Sequence, residues 1–308
     1  MSDGWICERG IGETRFALVE DGEIAEAHID RAGELRFGSV HQGRLTRKLG
    51  RGGEADIAGE TVFLPAWPEG RTEGAAVPLR IEREAIPERG RARSAKAVMT
   101  DAAAAVPQAM TGDLEAAGWS NLIDDARTGV IAFNGGLLTI VPTPAGTTID
   151  IDGSLAMEAL ALAGVQAAAR AVRRLGITGS ILIDVPGVEG KAARQRIAAA
   201  FDRLLPLPFE RTGINGFGLL QVVRPRRRPS LMERAQNQAA ATAALDLLRR
   251  AERAGAKHHL DLSAGQAVRD WLAARPALIE ELFRRTGVAP TLNSKGHDPL
   301  WWGDVSAN

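Results

Sequence analysis

Three features of the chain predict a mixed α/β (α+β) fold. Two apolar runs, Thr148-Ile149-Asp150-Ile151-Asp152-Gly153 and Ile181-Leu182-Ile183-Asp184-Val185-Pro186, flank an alanine-rich stretch with helical periodicity over 155–175. Strand, helix and strand at that spacing form a βαβ unit, so the two runs are expected as parallel strands, adjacent or one apart. Upstream, closely spaced short strands over residues 37–100 read as a small barrel. Downstream, a strand–helix–strand pattern reads as a small C-terminal αβ domain.

In chain order, residues 1–36 give short strands at Trp5-Ile6-Cys7, Thr14 to Val19 and Glu23 to Ile29, the last two joined by the hairpin signal Asp21-Gly22. Residues 37–100 continue with strands at Ser39 to Thr46, Ala55 to Gly59, Thr61 to Pro65 and Ala76 to Glu84. Strands this short and this close fit a five-stranded barrel of the OB type. Residues 101–129 form a linker segment whose alanine-rich part, Asp101 to Asn121, reads as a helix plus linker. The α/β core spans 130–234. It opens with strands Val130-Ile131-Ala132-Phe133 and Leu137 to Val141 around Asn134-Gly135-Gly136 and contains the βαβ unit. It continues with a basic amphipathic helix from Glu189 to Leu204 and closes with a strand, Gly218 to Val223. Residues 235–308 complete one long helix over 230–254 and then give strand, helix (Ala264 to Thr286) and strand.

The chain has 308 residues, 45% hydrophobic and 25% charged, which is ordinary for a globular protein. No apolar run approaches the ~20 residues of a membrane span, and the first residues lack the parts of a signal peptide, so a cytoplasmic location is expected. The single cysteine, Cys7, excludes internal disulfides and a cysteine-rich zinc site. The net charge of zero hides a segregation: −7 over 101–158, with one basic against eight acidic side chains, then +8 over 159–234, with thirteen against five. An acidic block followed by a basic one suits a metal held beside a polyanion.

Asp150, Asp152 and Asp184 carry that chemistry. They lie toward the C-terminal ends of their strands, where open α/β sheets place ligands. Carboxylates brought together repel unless a cation neutralises them, and their hard oxygens suit Mg²⁺ or Mn²⁺ rather than zinc. The same acids also serve in other chains as turn or helix-capping residues. Arg224, Arg226, Arg227 and Arg228 form the densest basic run, and Lys191, Arg194 and Arg196 open the helix after the Asp184 strand. Gly187-Val188-Glu189-Gly190-Lys191 has the wrong spacing for a P-loop. His258 and His259, read as strand neighbours, point to opposite faces and share no metal. Trp301 and Trp302 are expected in packing or association.

With these elements in order, nearly the whole chain resembles the ribonuclease E/G family. Ile149-Asp150-Ile151-Asp152-Gly153-Ser154 is similar to the family's Ile-Asp-(Ile/Val)-Asn-Ser strand, and the run from Ile181 to Val188 to its second acidic strand. Phe217-Gly218-Leu219-Leu220-Gln221-Val222-Val223-Arg224 resembles a later strand, Val40 to Arg47 the first barrel strand, and Phe63-Leu64-Pro65 the Gly-Phe-Leu-Pro turn. The tail helix ending in Arg285-Thr286-Gly287 is similar to the family's small terminal domain. The resemblance implies an OB-type barrel in an RNase H-like α/β catalytic core. It also implies a Mg²⁺-dependent endoribonuclease, a hydrolase of RNA processing or turnover, cutting single-stranded RNA. Asp150 and Asp184 fall on the metal-binding aspartates, and Asp152 on the asparagine that orients the phosphate. Phe63, Lys191 and the arginines at 224, 226, 227 and 228 are then RNA contacts.

Several positions depart from the family pattern. Asp152 puts an acid where the family has an amide, and Gly187 stands where a further aspartate belongs. The segment after Ser154 is shorter, and only 101–129 replace the five-prime sensor region. Ala55 occupies an aromatic position of the barrel. The Cys-Pro-x-Cys zinc link is missing, so no zinc-linked tetramer is implied, and a homodimer stays open. Two readings follow: a Mg²⁺-dependent endoribonuclease, or a catalytically weak RNA-binding protein on the same scaffold.

Overall fold

The computed structural model describes residues 3–88, 90, 92–103, 109–294 and 299–308. Strands β1 (Gly4–Arg9), β2 (Glu13–Glu20) and β3 (Glu23–Arg31) form an antiparallel meander. Asp21 and Gly22 both take positive φ, 52° and 82°, as a tight turn matched to strand twist requires. The next five strands close into a barrel in the order β4-β5-β6-β8-β7: β4 (Val40–Leu49), β5 (Gly52–Ile57), β6 (Glu60–Leu64), β7 (Ala76–Arg83) and β8 (Lys96–Met99). Leu45, Val62, Leu64, Leu79 and Ile81 fill its interior as a separate core. The closing strand β8 has only four residues and no clear alternation, so the sequence pattern does not mark it.

The chain then returns to the first sheet. Strand β9 (Met110–Thr111) pairs in parallel with β1, and helix α1 (Trp119–Thr128) follows. The helix expected over Asp101 to Asn121 is displaced: part of that segment, 104–108, lies outside the described residues, and the helix begins only after Gly118, in the left-handed region at φ 89°. Trp119 is fully buried there under a guanidinium, Arg15, 5.1 Å from its ring centre.

A six-stranded sheet carries the βαβ unit. Its strands are β10 (Val130–Phe133), β11 (Gly136–Thr143), β12 (Gly146–Gly153), β13 (Gly179–Asp184), β14 (Glu210–Arg211) and β15 (Leu219–Arg224), in the order β10-β11-β12-β13-β15-β14. β12 and β13 are adjacent and parallel, joined through α2 (Met157–Arg174); α3 (Lys191–Asp202) follows β13 and packs on α2. Helix α2 contacts β10, β11 and β12 of this sheet and β3 of the first, and one hydrophobic core runs through all of them.

The helix expected over 230–254 is two helices, α4 (Leu231–Asn237) and α5 (Ala239–Arg253), broken at Gln238 with φ −124° and ψ 39°. The Gln238 side-chain oxygen accepts hydrogen bonds from Arg31 at 2.7 Å and Arg234 at 3.2 Å, and Thr242 accepts from Arg31 at 2.7 Å. These long-range partners hold the break open. The helix expected over Ala264 to Thr286 is likewise two, α6 (Gln266–Ala273) and α7 (Pro276–Thr286). Proline begins the second, where its missing N–H costs nothing and its ring ends the first. They pack with β16 (Leu260–Ala264), β17 (Thr291–Asn293) and β18 (Gly303–Ala307) as a small C-terminal unit whose core includes Leu245, Leu248, Leu262 and Leu282. His258 and His259 precede β16, and both backbone N–H groups donate to the Asn308 carbonyl. The protein is thus mixed α/β with a closed five-stranded barrel. No helix among the described residues is long and apolar enough to cross a membrane.

A tight point of the core is Gly164 in α2, where a Cβ would lie 2.2 Å from Cγ2 of Ile151. Gly164→Val is expected to destabilise the protein by about 1–3 kcal/mol through overpacking, more than the few tenths that leaving glycine returns in helix propensity. Urea unfolding measures it. An unchanged midpoint would mean that β12 yields to α2 without strain.

Candidate active site

Alternation along β12 and β13 sends Ile149, Ile151, Ile181 and Ile183 into the core under α2. The same alternation leaves Asp150, Asp152 and Asp184 exposed on the opposite face. The parallel ladder pairs Asp150 directly with Asp184. Neighbouring strands lie about 4.8 Å apart, so these two carboxylates are side by side, and Asp152 stands one side-chain repeat, about 7 Å, further along β12 opposite Leu137.

Desolvation, then the charges of Asp152 and Asp184, hold the Asp150 carboxyl above the usual range, against the Ile151 N–H that hydrogen-bonds to it. No arginine or lysine among the described residues forms an ion pair with any of the three. An uncompensated carboxylate pair with no histidine or thiol nearby suits a hard divalent cation. Among the described residues no three carboxylate, imidazole or thiol groups converge into a ligand set by themselves. The pair Asp150/Asp184 is therefore the unit. That is enough for Mg²⁺, which keeps several waters and commonly binds through one or two carboxylates plus a phosphate.

The loop before β15 shapes one side of this pair. Asn215 Oδ1 accepts from the backbone N–H of Phe217 at 2.9 Å and of Leu219 at 3.0 Å, fixing a tight turn. Gly218, at φ 83°, sits so close that a Cβ would lie 2.7 Å from the Val185 carbonyl and 3.8 Å from Asp184 Oδ1. Phe217 projects from the tip, 89% exposed. Nothing in its sequence setting marks it as exposed, because Phe-Gly-Leu-Leu reads simply as the start of a buried strand. On its other side the same loop lines a cleft of about 690 Å³ with Lys191, Arg194 and Arg211. Arg211 is clamped by Asp202 and Arg194 donates to the Val188 carbonyl, whereas Lys191 is exposed with no ion pair among the described residues.

The arginine run is elsewhere. Antiparallel pairing puts Arg224 opposite Gly179 and Leu219 opposite Asp184, so the run begins at the far end of β13, about 17 Å along the strand. Three of its members are also engaged. Arg224 donates to the carbonyls of Val172 and Ile177, Arg226 pairs with Glu88 and Glu233, and Arg228 with Glu84 at 3.1 Å. The run is therefore not a free basic patch beside the aspartates; of its four arginines only Arg227 is exposed and without a carboxylate partner among the described residues, its guanidinium 5.2 Å from the Phe37 ring centre. On the barrel, Phe63 is 44% exposed on β6, in register with Lys96 of β8.

No protein-family model matches the chain, and a search of curated proteins gives no match.

Because Asp150 holds its proton more tightly when folded, this group favours the folded state at low pH, and that contribution is lost as pH rises through its raised value. Above it the carboxylates repel, and a bound cation relieves them. Near pH 7, added MgCl₂ is expected to raise the thermal midpoint by about 1.5 °C per kcal/mol of binding. The rise should vanish near pH 4, where carboxyls protonate, and be absent in Asp150→Asn and Asp184→Asn. Calorimetry decides; an equal rise in both variants would place the cation elsewhere.

Proposed function

We propose that this protein is a Mg²⁺-dependent endoribonuclease of the ribonuclease E/G type that cuts single-stranded RNA. In this reading the closed barrel is of the OB type, inserted in an RNase H-like α/β core, and the protein works in the cytoplasm. The observation that carries the reading is the register-matched, uncompensated pair Asp150 and Asp184 on an open sheet face.

In this reading Asp150 and Asp184 hold the cation and fix its position against the strand ends. A bound Mg²⁺, or Mn²⁺, supplies Lewis-acid polarisation of the phosphodiester and a more acidic water. Asp152 differs from an amide in one decisive respect: an ionised carboxylate only accepts hydrogen bonds, so it cannot donate to a phosphate oxygen. It serves instead as an acceptor for water near the pair. Lys191 offers a phosphate contact in the neighbouring cleft, and Phe217 offers a ring at the edge of the site on which a base can stack. Phe63 beside Lys96 offers a second ring and charge on the barrel.

The absence of a three-group ligand set among the described residues and the acid at 152 favour the second reading, a catalytically weak RNA-binding protein on the same scaffold. Cleavage of an unstructured RNA in Mg²⁺ separates the two. The wild type is expected to cut, and Asp184→Asn to lose about a hundredfold or more in rate, the scale of removing one group that stabilises transition-state charge. Equal cutting by both would overturn the assignment. Binding by both with cutting by neither would leave the RNA-binding protein.

A further inference from the structure

The face of the first sheet turned away from the main core carries a row of rings. Alternation sends Ile6, Ala17 and Ile29 inward and leaves Trp5, Phe16 and His28 on the other side. Phe16 and His28 are cross-strand partners whose rings stack at 4.7 Å and 7°, with Trp5 edge-on to His28 at 5.6 Å. Together they floor a cleft of about 500 Å³, within the range of small-ligand sites. Arg224, Arg227 and Arg228 of the arginine run also line it.

The charge in this cleft is unbalanced. Arg173 is matched by Glu20 and Glu26, and Arg228 by Glu84. Arg224 donates to the carbonyls of Val172 and Ile177 and feels the charge of Glu26, which pairs with Arg173, and Arg227 has no carboxylate partner among the described residues. His28 adds no charge, because burial and then Arg228 and Arg234 push it well below its usual range. The Thr178 hydroxyl, also in the lining, is buried without a hydrogen-bond partner. Aromatic faces beside one exposed guanidinium without a carboxylate, Arg227, and a second held mainly by backbone carbonyls, Arg224, select a ligand that is flat at one end and anionic at the other. A quaternary ammonium would be repelled, and an acidic peptide would leave the rings unused.

We propose that this cleft is a nucleotide-binding site, with the base against Trp5 and the Phe16–His28 pair and the phosphate on Arg227 and Arg224. The assignment is independent of the carboxylate pair and of any cleavage. Rings on neighbouring strands beside arginines are the physical means by which proteins hold unpaired bases. The same chemistry is offered by a free mononucleotide and by one nucleotide of a single strand.

Isothermal titration calorimetry in EDTA, with metal withheld and no cleavage, tests it. The probes are adenosine 5′-monophosphate, adenosine, inorganic phosphate and a short oligoadenylate. The monophosphate is expected to bind about tenfold or more tighter than adenosine or phosphate alone. Trp5→Leu and Arg227→Ala should each weaken it about tenfold, the scale of one stacking or one charged contact. Arg227 is exposed, so its replacement tests the cleft even where Trp5→Leu unfolds the sheet. Tighter binding of the oligoadenylate assigns the site to a strand, and equal binding to a free nucleotide. No binding of either, affinity unchanged in the Arg227 variant, or phosphate alone binding as tightly as the monophosphate would overturn the proposal.

Discussion

Helix α2 is wedged between two sheets, and the small side chains it presents there set the geometry of everything else. Alanines 161, 168, 169 and 171 and Gly164 are all buried. Leucines in their place would bury more apolar surface, at about 0.8 kcal/mol per added CH₂, but would push the sheets apart. Alanine loses no rotamer freedom on burial, so the close approach is reached without that entropic cost. With α2 held this close, the crossover returns β13 to the edge of β12, and the ladder register brings Asp150 to Asp184. The candidate site is thus a consequence of packing on the far side of its sheet.

A second constraint is ionic. The inner face of the first sheet is apolar under α2 but charged under α5, where Glu8, Glu13, Arg15 and Arg31 are all buried. Arg249 and Arg253 close on Glu8, Arg15 reaches Asp246 at 3.2 Å, and Arg234 joins Glu34 and Glu84. The network is not fully satisfied. Glu13 Oε2 and Arg31 Nε are buried without hydrogen-bond partners, and burial with Arg234 nearby lowers Arg31 to about 10. Buried ion pairs often contribute little net stability, because desolvation offsets attraction, yet removing one partner costs about 3–5 kcal/mol. The network therefore acts as a register between the sheet and the C-terminal helices. Through Glu84 it also ties the barrel to the core.

These constraints explain which parts of the fold were legible in the sequence. The βαβ unit, the Asp21-Gly22 hairpin and the first four barrel strands are written in local alternation and spacing. The break at Gln238 is not, because Asn237-Gln238-Ala239-Ala240 is good helix sequence and the distortion is imposed by Arg31 from the first sheet. The arginines at 224, 226 and 228 read as a free patch because two of their partners, Glu84 and Glu88, lie more than a hundred residues away. The aspartate pairing was legible only as two strands joined by a crossover; its exact register depends on α2. The exposure of Phe217 follows from Asn215 capping two backbone N–H groups, which no composition or periodicity announces.

The separation of acids and arginines along β13 has an electrostatic consequence. At physiological ionic strength the screening length is about 8 Å, so exposed charges some 17 Å away are largely hidden from one another. Arg227 therefore does little to draw a phosphate toward Asp150 and Asp184. Without a cation the carboxylate pair repels a polyanion, and in the adjoining cleft Lys191 and Arg194, which open α3 directly after β13, carry positive charge without a carboxylate partner among the described residues, whereas Arg211 is held by Asp202. Two carboxylates and one divalent cation leave a neutral centre, so cation binding removes the repulsion without itself making the site strongly attractive. In the proposed reading, phosphate affinity at this end of the strand depends on direct coordination and on Lys191 rather than on a long-range field. In the proposed reading a chain with zero net charge and segregated blocks achieves local complementarity through short contacts at two separated places.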